Sequence, residues 1–337
     1  MKSNVFIVYL ASFVVVAAGL KAAGTIVLPF LIAVFIAIVI SPAINQLQKL
    51  KLPRIVAFIL VVGVIFVSLG FVTNTVISTI NGLLGHLPEL QAKFKIFNDQ
   101  VISILAKYGV EDVQKIIPSD YDPNKIFANL GTLLRSSTEL ASKSFFIFLL
   151  VTFMLFETHI FRQKVDYFAS KNPQAEMIVD TFISNLKRYL EIKTIASFAT
   201  GVFIFAGLEM LGVPYAPLWG IVAFVLNFIP TIGSIIAAFP AILVSLLIND
   251  ISTTFWTVIL YLVVNLAIGN FIEPRFLGKG LGISTLVVLL SLLFWGFLFG
   301  IGGMFLAVPL TMSLKLALDA NPNTKFIAVL LSDKIER

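Results

Sequence analysis

Side chains able to donate hydrogen bonds or carry charge are scarce within the apolar runs of this chain, and they gather at two places. One is Asn227-Phe228-Ile229-Pro230-Thr231-Ile232-Gly233-Ser234; the other runs from Asn265 past Gly269 and Asn270 to Glu273-Pro274-Arg275. Amides and hydroxyls beside Pro and Gly suit the binding of a polar ligand, because Pro and Gly release backbone groups from helical pairing and leave them available as extra partners. Other chemistries lack their parts. There is no cysteine, and only two histidines, His86 and His159, neither in the core of a span. That excludes a thiol nucleophile, thiolate metal sites and a His-based metal site. No H-E-x-x-H motif occurs, and no phosphate loop: Gly278-Lys279-Gly280 has neither the spacing nor the following hydroxyl. The chain is expected to be no enzyme and to use no cofactor or metal.

The elements that position these residues must sit in lipid. Of the 337 residues 58% are hydrophobic and only 12% charged, with a mean hydropathy of +1.00; a soluble domain carries about 25% charged residues to cover its surface. The formal charge of +6 lacks a dense basic cluster interleaved with aromatics, so it reads as cytoplasmic Lys and Arg rather than a nucleic-acid footprint. Uncharged runs cover Ser3–Leu20, Ala22–Gln48, Ile55–Pro88, Ser144–Phe156, Thr194–Leu208, Met210–Asn249, Ile251–Ile272 and Gly280–Leu314. A helix needs about 20 apolar residues to cross a bilayer. The two shorter runs can borrow neighbours and let a flanking charge snorkel, which gives about eight transmembrane helices in an all-α polytopic membrane protein. The first run resembles a signal peptide but is followed at once by a second, and is read as a retained span.

Positive charge in short loops, Lys49, Lys51 and Arg54 and then Arg162 to Lys193, predicts that both termini, the Lys49 loop and 157–193 face the cytoplasm. The expected organisation is three spans in 1–80, an extracytoplasmic helical segment at 81–139, a fourth span at 140–157, a cytoplasmic helical segment at 158–192, a C-terminal bundle at 193–318 and a tail at 319–337. Helical periodicity marks the outer segment (Leu90, Phe94, Phe97, Val101, Ile104, Leu105, Tyr108), with a second helix opened by Asp122-Pro123. Asn172-Pro173 opens an inner one carrying Ile178, Phe182, Leu186 and Leu190. Such amphipathic helices lie on the membrane, pack on the spans or pair subunits.

Two runs are too long for single crossings. Met210–Asn249 would be about 60 Å as one helix and Gly280–Leu314 about 52 Å, against a hydrocarbon thickness of about 30 Å. Pro214, Pro217, Gly220, Pro230, Gly233 and Pro240 interrupt the first; Gly296, Gly300, Gly302, Gly303 and Pro309 interrupt the second. Broken helices at membrane depth are tolerated against protein or a wet cavity, and in transporters they often form the substrate site. Asn227, Pro230, Thr231, Gly233, Ser234, Asn265, Asn270, Glu273 and Arg275 are therefore the candidate pathway residues. For Glu273 an interfacial pair with Arg275 is the alternative; Glu157 and Glu209 sit at span ends, where snorkelling suffices.

The broken segments also carry a resemblance. Pro214-Tyr215-Ala216-Pro217-Leu218-Trp219-Gly220 through Ala223–Ser234, then Gly269–Gly278 with Gly280-Leu281-Gly282 and Ser284-Thr285, then Phe294-Trp295-Gly296, Gly302-Gly303-Met304 and Val308–Thr311, resemble the signature of the autoinducer-2 exporter family of bacterial permeases. Tyr189–Thr194 and the tail Ile327–Asp333 look like the family too, the tail most like that of its autoinducer-2 exporters. The resemblance implies a bacterial inner-membrane protein of seven or eight spans, a homo-oligomer with pentamers expected, that exports the quorum-sensing signal autoinducer-2 or exchanges sodium for protons. An oxygen-rich, uncharged substrate fits the amides and hydroxyls above. Antiport normally uses a titratable carboxylate deep in the membrane, and here only Glu273, or less aptly Glu157 or Glu209, could serve.

Overall fold

The computed structural model describes residues 2–107, 144–157, 160, 163–164, 167, 173–277 and 282–333. All elements among them are helical: α1 Lys2–Ala22, α2 Gly24–Lys49, α3 Arg54–Lys107, α4 Ser144–Glu157, α5 Pro173–Met210, α6 Ala216–Leu226, α7 Ile232–Ile248, α8 Ile251–Asn265, a π-helical stretch Leu266–Ile272, α9 Glu273–Leu277, α10 Thr285–Asp319 and α11 Lys325–Leu331. Five stretches are long and apolar enough to cross a bilayer: Gly24–Lys49, Arg54–His86, Ile183–Met210, Ile251–Phe276 and Thr285–Asp319. Shorter apolar helices lie at Ala11–Ala22, Ser144–Glu157, Ala216–Leu226 and Ile232–Ile248. Each of the eight uncharged runs carries one or more of the helices given above.

Two boundaries differ from the sequence expectation. The inner amphipathic segment and the fifth span are one helix, the 38-residue α5. Likewise the outer periodic segment extends the third span: α3 runs for 54 residues straight through Pro88. In both cases the apolar face of the extension continues the face of the span, so nothing in the register stops the helix. The outer helix expected after Asp122-Pro123 lies outside the described residues.

Neither of the two overlong runs is a kinked crossing; each doubles back. At the first, α6 ends at Leu226, the turn 227–231 reverses the chain, and α7 returns beside it. At its open end Asn249 Nδ2 donates to the carbonyl of Gly212 at 3.1 Å. The turn is drawn tight by Thr231, held at φ 59°, and by Gly233, where a Cβ would collide with the Leu226 carbonyl. With 11 and 17 residues, its arms reach about 16 and 25 Å, and the shorter arm cannot cross. At the second, α10 breaks at Gly300 (φ 65°, ψ −148°), a conformation open to Gly alone. Trp295 Nε1 then donates to Thr311 Oγ1 at 3.0 Å, although a straight helix would hold those residues about 24 Å apart. Gly303 is pressed against the Trp295 carbonyl just as Gly233 is against Leu226. α10 is thus a helical hairpin with arms 285–299 and 301–319.

The hairpins open toward opposite faces of the bundle. α5 defines the direction. Near its start Arg188 donates to the carbonyl of Phe276, which leads to the open end of the α10 hairpin. Its end, Met210, leads to the open end of the α6–α7 hairpin, where Tyr215 meets His86 of α3. The second arm of α10 runs beside α2, with Phe35, Leu306 and Val308 sharing a core with Leu186, Tyr189 and Leu190 of α5. The Lys49 end of α2 and the Arg188 end of α5 therefore share a face. Inside the bundle the tip of the first hairpin packs into the flank of the second: Phe228 and Phe305 rings lie 4.5 Å apart, and Ile229 is buried with Leu292 and Ala307.

The first hairpin depends on the missing side chain at Gly233. Gly233→Leu is expected to lower the melting temperature of the detergent-purified protein by several degrees or prevent its recovery, since a backbone carbonyl cannot move aside as a side chain can. Gly63→Leu, at a position with open space around it, should leave it nearly unchanged; equal losses at both would contradict the tight turn.

Candidate functional site

α5 presents one buried stripe of polar side chains to the C-terminal half. Tyr189, Lys193, Ser197 and Thr200 lie one turn apart along it, with exposures of 4%, 4%, 0% and 2%, as the i, i+4 spacing of a helix face requires. Thr200 closes its hydrogen bond on the carbonyl of Ala196 in its own helix. Lys193 and Ser197 reach other elements. Lys193 Nζ binds both carboxylate oxygens of Glu273, at 2.8 and 2.9 Å. Ser197 Oγ accepts from Asn227 Nδ2 at 3.0 Å. One turn of one helix thus ties down both the charged end of α8–α9 and the turn of the first hairpin, with anchors about 6 Å apart along the axis. Just beyond, α5 and α6 cross in close contact at Gly201 and Gly220, where a Cβ on either would strike the backbone of the other.

Glu273 reaches Lys193 because the helix ahead of it changes pitch. Tyr261, Val264 and Ile268 are the buried face of α8, and an α-helix would next turn Phe271 or Ile272 inward. Both are exposed. Pro274 has no N–H for the carbonyl of Asn270, and its ring crowds that carbonyl. The chain responds with a π turn over Leu266–Ile272, in which the Glu273 N–H reaches back five residues to Ile268. The wider turn adds one residue and brings Glu273 onto the buried face, a placement typical of π-bulges at functional positions. The alternative of an interfacial pair with Arg275 is not what forms: Arg275 is exposed, and Glu273 pairs with Lys193.

The remaining candidates separate into two groups. Asn227 is buried at the end of α6, and Pro230, Thr231, Gly233 and Ser234 follow it around the turn. There the Pro230 carbonyl accepts from the Thr231 hydroxyl and the Ile232 N–H, both at 2.7 Å. Asn265 is half-buried at the start of the π turn, whereas Asn270 is exposed. Between α5 and α8 the hydroxyl of Tyr261 is buried without a partner among the described residues, a costly state unless water or a ligand reaches it. No group of His, Cys, Asp and Glu capable of holding a metal occurs among the described residues. Lys193 and Ser197 were missed in the sequence. Lys193 had been counted as a cytoplasmic loop charge, although its four-residue spacing from Tyr189 and Ser197 marks one face of a helix.

This geometry has the form expected of a transport protein, with two broken helices meeting inside a membrane bundle at a polar post. Comparison with known proteins supplies the family. The profile of the AI-2E family transporters matches residues 10–323. The chain belongs to the AI-2E transporter family. It is 37% identical over 330 residues to a putative transport protein of Haemophilus influenzae, covering 96% of this chain and 95% of that one. To the AI-2 transport protein TqsA of Escherichia coli it is 34% identical, covering 97% and 95%. A more distant relative, the putative transport protein YueF of Bacillus subtilis, is 26% identical over 87% of this chain and 83% of its own length. This is a membrane transport protein of a family whose members match it over most of their length, and its long unbroken apolar helices are membrane spans.

The ion pair is worth most when intact. Side-chain exposures of 5% for Lys193 and 13% for Glu273 make it a buried pair, and removing one member of such a pair costs about 3–5 kcal/mol because the other charge is stranded. Lys193→Met should therefore destabilise the purified protein more than the double substitution Lys193→Met with Glu273→Leu. A double variant no more stable than Lys193→Met in thermal unfolding would mean the two charges are not coupled.

Proposed function

We propose that this protein is a secondary transporter that exports a small, polar, oxygen-rich molecule, autoinducer-2, from the cytoplasm of a bacterial cell. The observation that carries the reading is the meeting of two opposed hairpins beside Asn227, Ser197 and the Lys193–Glu273 pair. Each hairpin opens toward a different face, so the region of their contact is the natural place for a site reached in turn from either side. The ligand groups there are an amide, hydroxyls and freed backbone, which suit a polyhydroxylated molecule. Asn227, Pro230, Thr231, Gly233, Ser234, Asn265, Asn270, Glu273 and Arg275 are its proposed lining or gating residues, joined now by Lys193 and Ser197. The family description and the name of the Escherichia coli relative support autoinducer-2 as the substrate.

Sodium/proton antiport has less support. The carboxylate it would use, Glu273, is held on both oxygens by Lys193. Glu157 and Glu209 are at helix ends and exposed.

The rest of the proposal follows the family. It comprises an inner-membrane location, both termini in the cytoplasm, and assembly into homo-oligomers, with a pentamer the expected form. Sharing of one face by the Lys49 and Arg188 ends is consistent with the charge rule. The exposed apolar side chains of α3, among them Ile59, Val64, Val67 and Phe71, need lipid or a second copy against them.

Purified protein in lipid vesicles loaded with autoinducer-2 provides the test. Efflux is expected to exceed that of equally loaded protein-free vesicles severalfold, and Asn227→Ala to slow it by about tenfold or more, as loss of about 1.4 kcal/mol of ligand interaction would do. Efflux no faster than from protein-free vesicles would sink the reading.

A further inference from the structure

Resting on the reading of this region as the substrate pathway, we infer that the Lys193–Glu273 pair sets the charge class of the substrate: each member cancels the other, so the site admits neutral polar molecules and rejects their anionic forms. Three observations lead there. The pair is the meeting of a buried cation with a nearly buried anion, and both carboxylate oxygens are used, at 2.8 and 2.9 Å. It stands one helical turn from Ser197 and hence from the amide of Asn227 at the first hairpin's turn. And it is assembled at some structural expense, by a π turn that rotates Glu273 inward.

A cation alone on α5 at this depth would be a strong anion site; a carboxylate alone would be a cation site or would take up a proton. Paired, they present donors and acceptors without net charge. A neutral polyol can exchange hydrogen bonds with such a pair, while a phosphorylated or carboxylated counterpart brings a charge to a cation that Glu273 already neutralises. Among the described residues the other charged groups on the elements packed here lie toward the open end of the α10 hairpin, where Lys315 is half-buried against the Gly282 carbonyl and the Ser332 hydroxyl. Arg188 and Arg275 are exposed, and Lys187 is paired with Glu191 on the surface of α5. They can attract anions to the mouth without stabilising them further in.

Vesicles loaded with autoinducer-2 or with its phosphomonoester separate the possibilities. Wild-type protein is expected to release the neutral molecule at least about a hundredfold faster than the phosphorylated one. Glu273→Gln, which leaves Lys193 charged, should narrow that ratio by about tenfold or more, because complementary charge sets specificity by several such factors. The exchange Lys193→Glu with Glu273→Lys restores a neutral pair and should restore the ratio even where total activity is lower. If the single variant does not fold well enough for efflux, binding of the phosphomonoester to detergent-purified Glu273→Gln protein at a series of salt concentrations gives the same information. Wild-type release of the neutral molecule with a ratio unmoved by Glu273→Gln overturns the charge filter but leaves export standing. Release of neither molecule overturns export itself.

Discussion

A peptide group inside a bilayer has no water to bond with, and each unpaired N–H or C=O there costs several kcal/mol. Everything distinctive about this molecule is a response to that constraint. Where the helices are unbroken they satisfy their own backbone. Where Pro and Gly break them, at 227–231 and at Gly300, the freed groups need protein or a wet cavity against them. The first turn is covered by the flank of the second hairpin, through Phe228 on Phe305 and Ile229 with Leu292 and Ala307. The second break leaves Gly300 exposed, with Phe299 beside it against Gly24 of α2.

α5 is what holds the contact of the two hairpins in place. It is the helix against which the first hairpin, the π turn and the second arm of α10 all pack. Its polar stripe makes the attachments specific in direction, where apolar packing alone would allow sliding. Ser197 gives the turn amide of Asn227 a partner, and Lys193 gives Glu273 one. Breaking either leaves a buried donor or charge alone, which is the expensive case for a polar group. The pair adds little net stability over apolar substitutes, so its presence points to specificity and chemistry rather than to holding the bundle together.

Much of this was readable from residue order. Membrane residence follows from run length and missing charge; Pro230 and Gly233 place the first break, and the second is placed only somewhere among Gly296, Gly300, Gly302, Gly303 and Pro309. What the breaks do was not readable, because Pro and Gly mark where a helix stops, not whether the chain then bends by a few degrees or turns back. That choice is made by contacts distant in sequence, such as Asn249 on Gly212 and Trp295 on Thr311. The partner of Glu273 is hidden for a different reason. A period of 3.6 carried through Leu266–Ile272 turns Glu273 away from the buried face, and the extra residue of the π turn brings it back. Lys193 was hidden by a rule that counts Lys and Arg near span ends as loop charge. The extension of α5 through that boundary turned a presumed loop residue into a buried one.

The central claim is that the overlong runs reverse inside the membrane instead of crossing it, and α10 allows the most direct measurement. The chain has no cysteine, so cysteines introduced at Leu286 and Leu318 can carry spin labels in an otherwise native background. Labelled protein diluted with unlabelled protein in lipid discs removes distances between subunits. Pulsed electron resonance is expected to report a separation below about 25 Å, the width of two packed helices with their labels. A separation near 48 Å, the length of an unbroken helix at about 1.5 Å per residue, would contradict the hairpin and the site built on it.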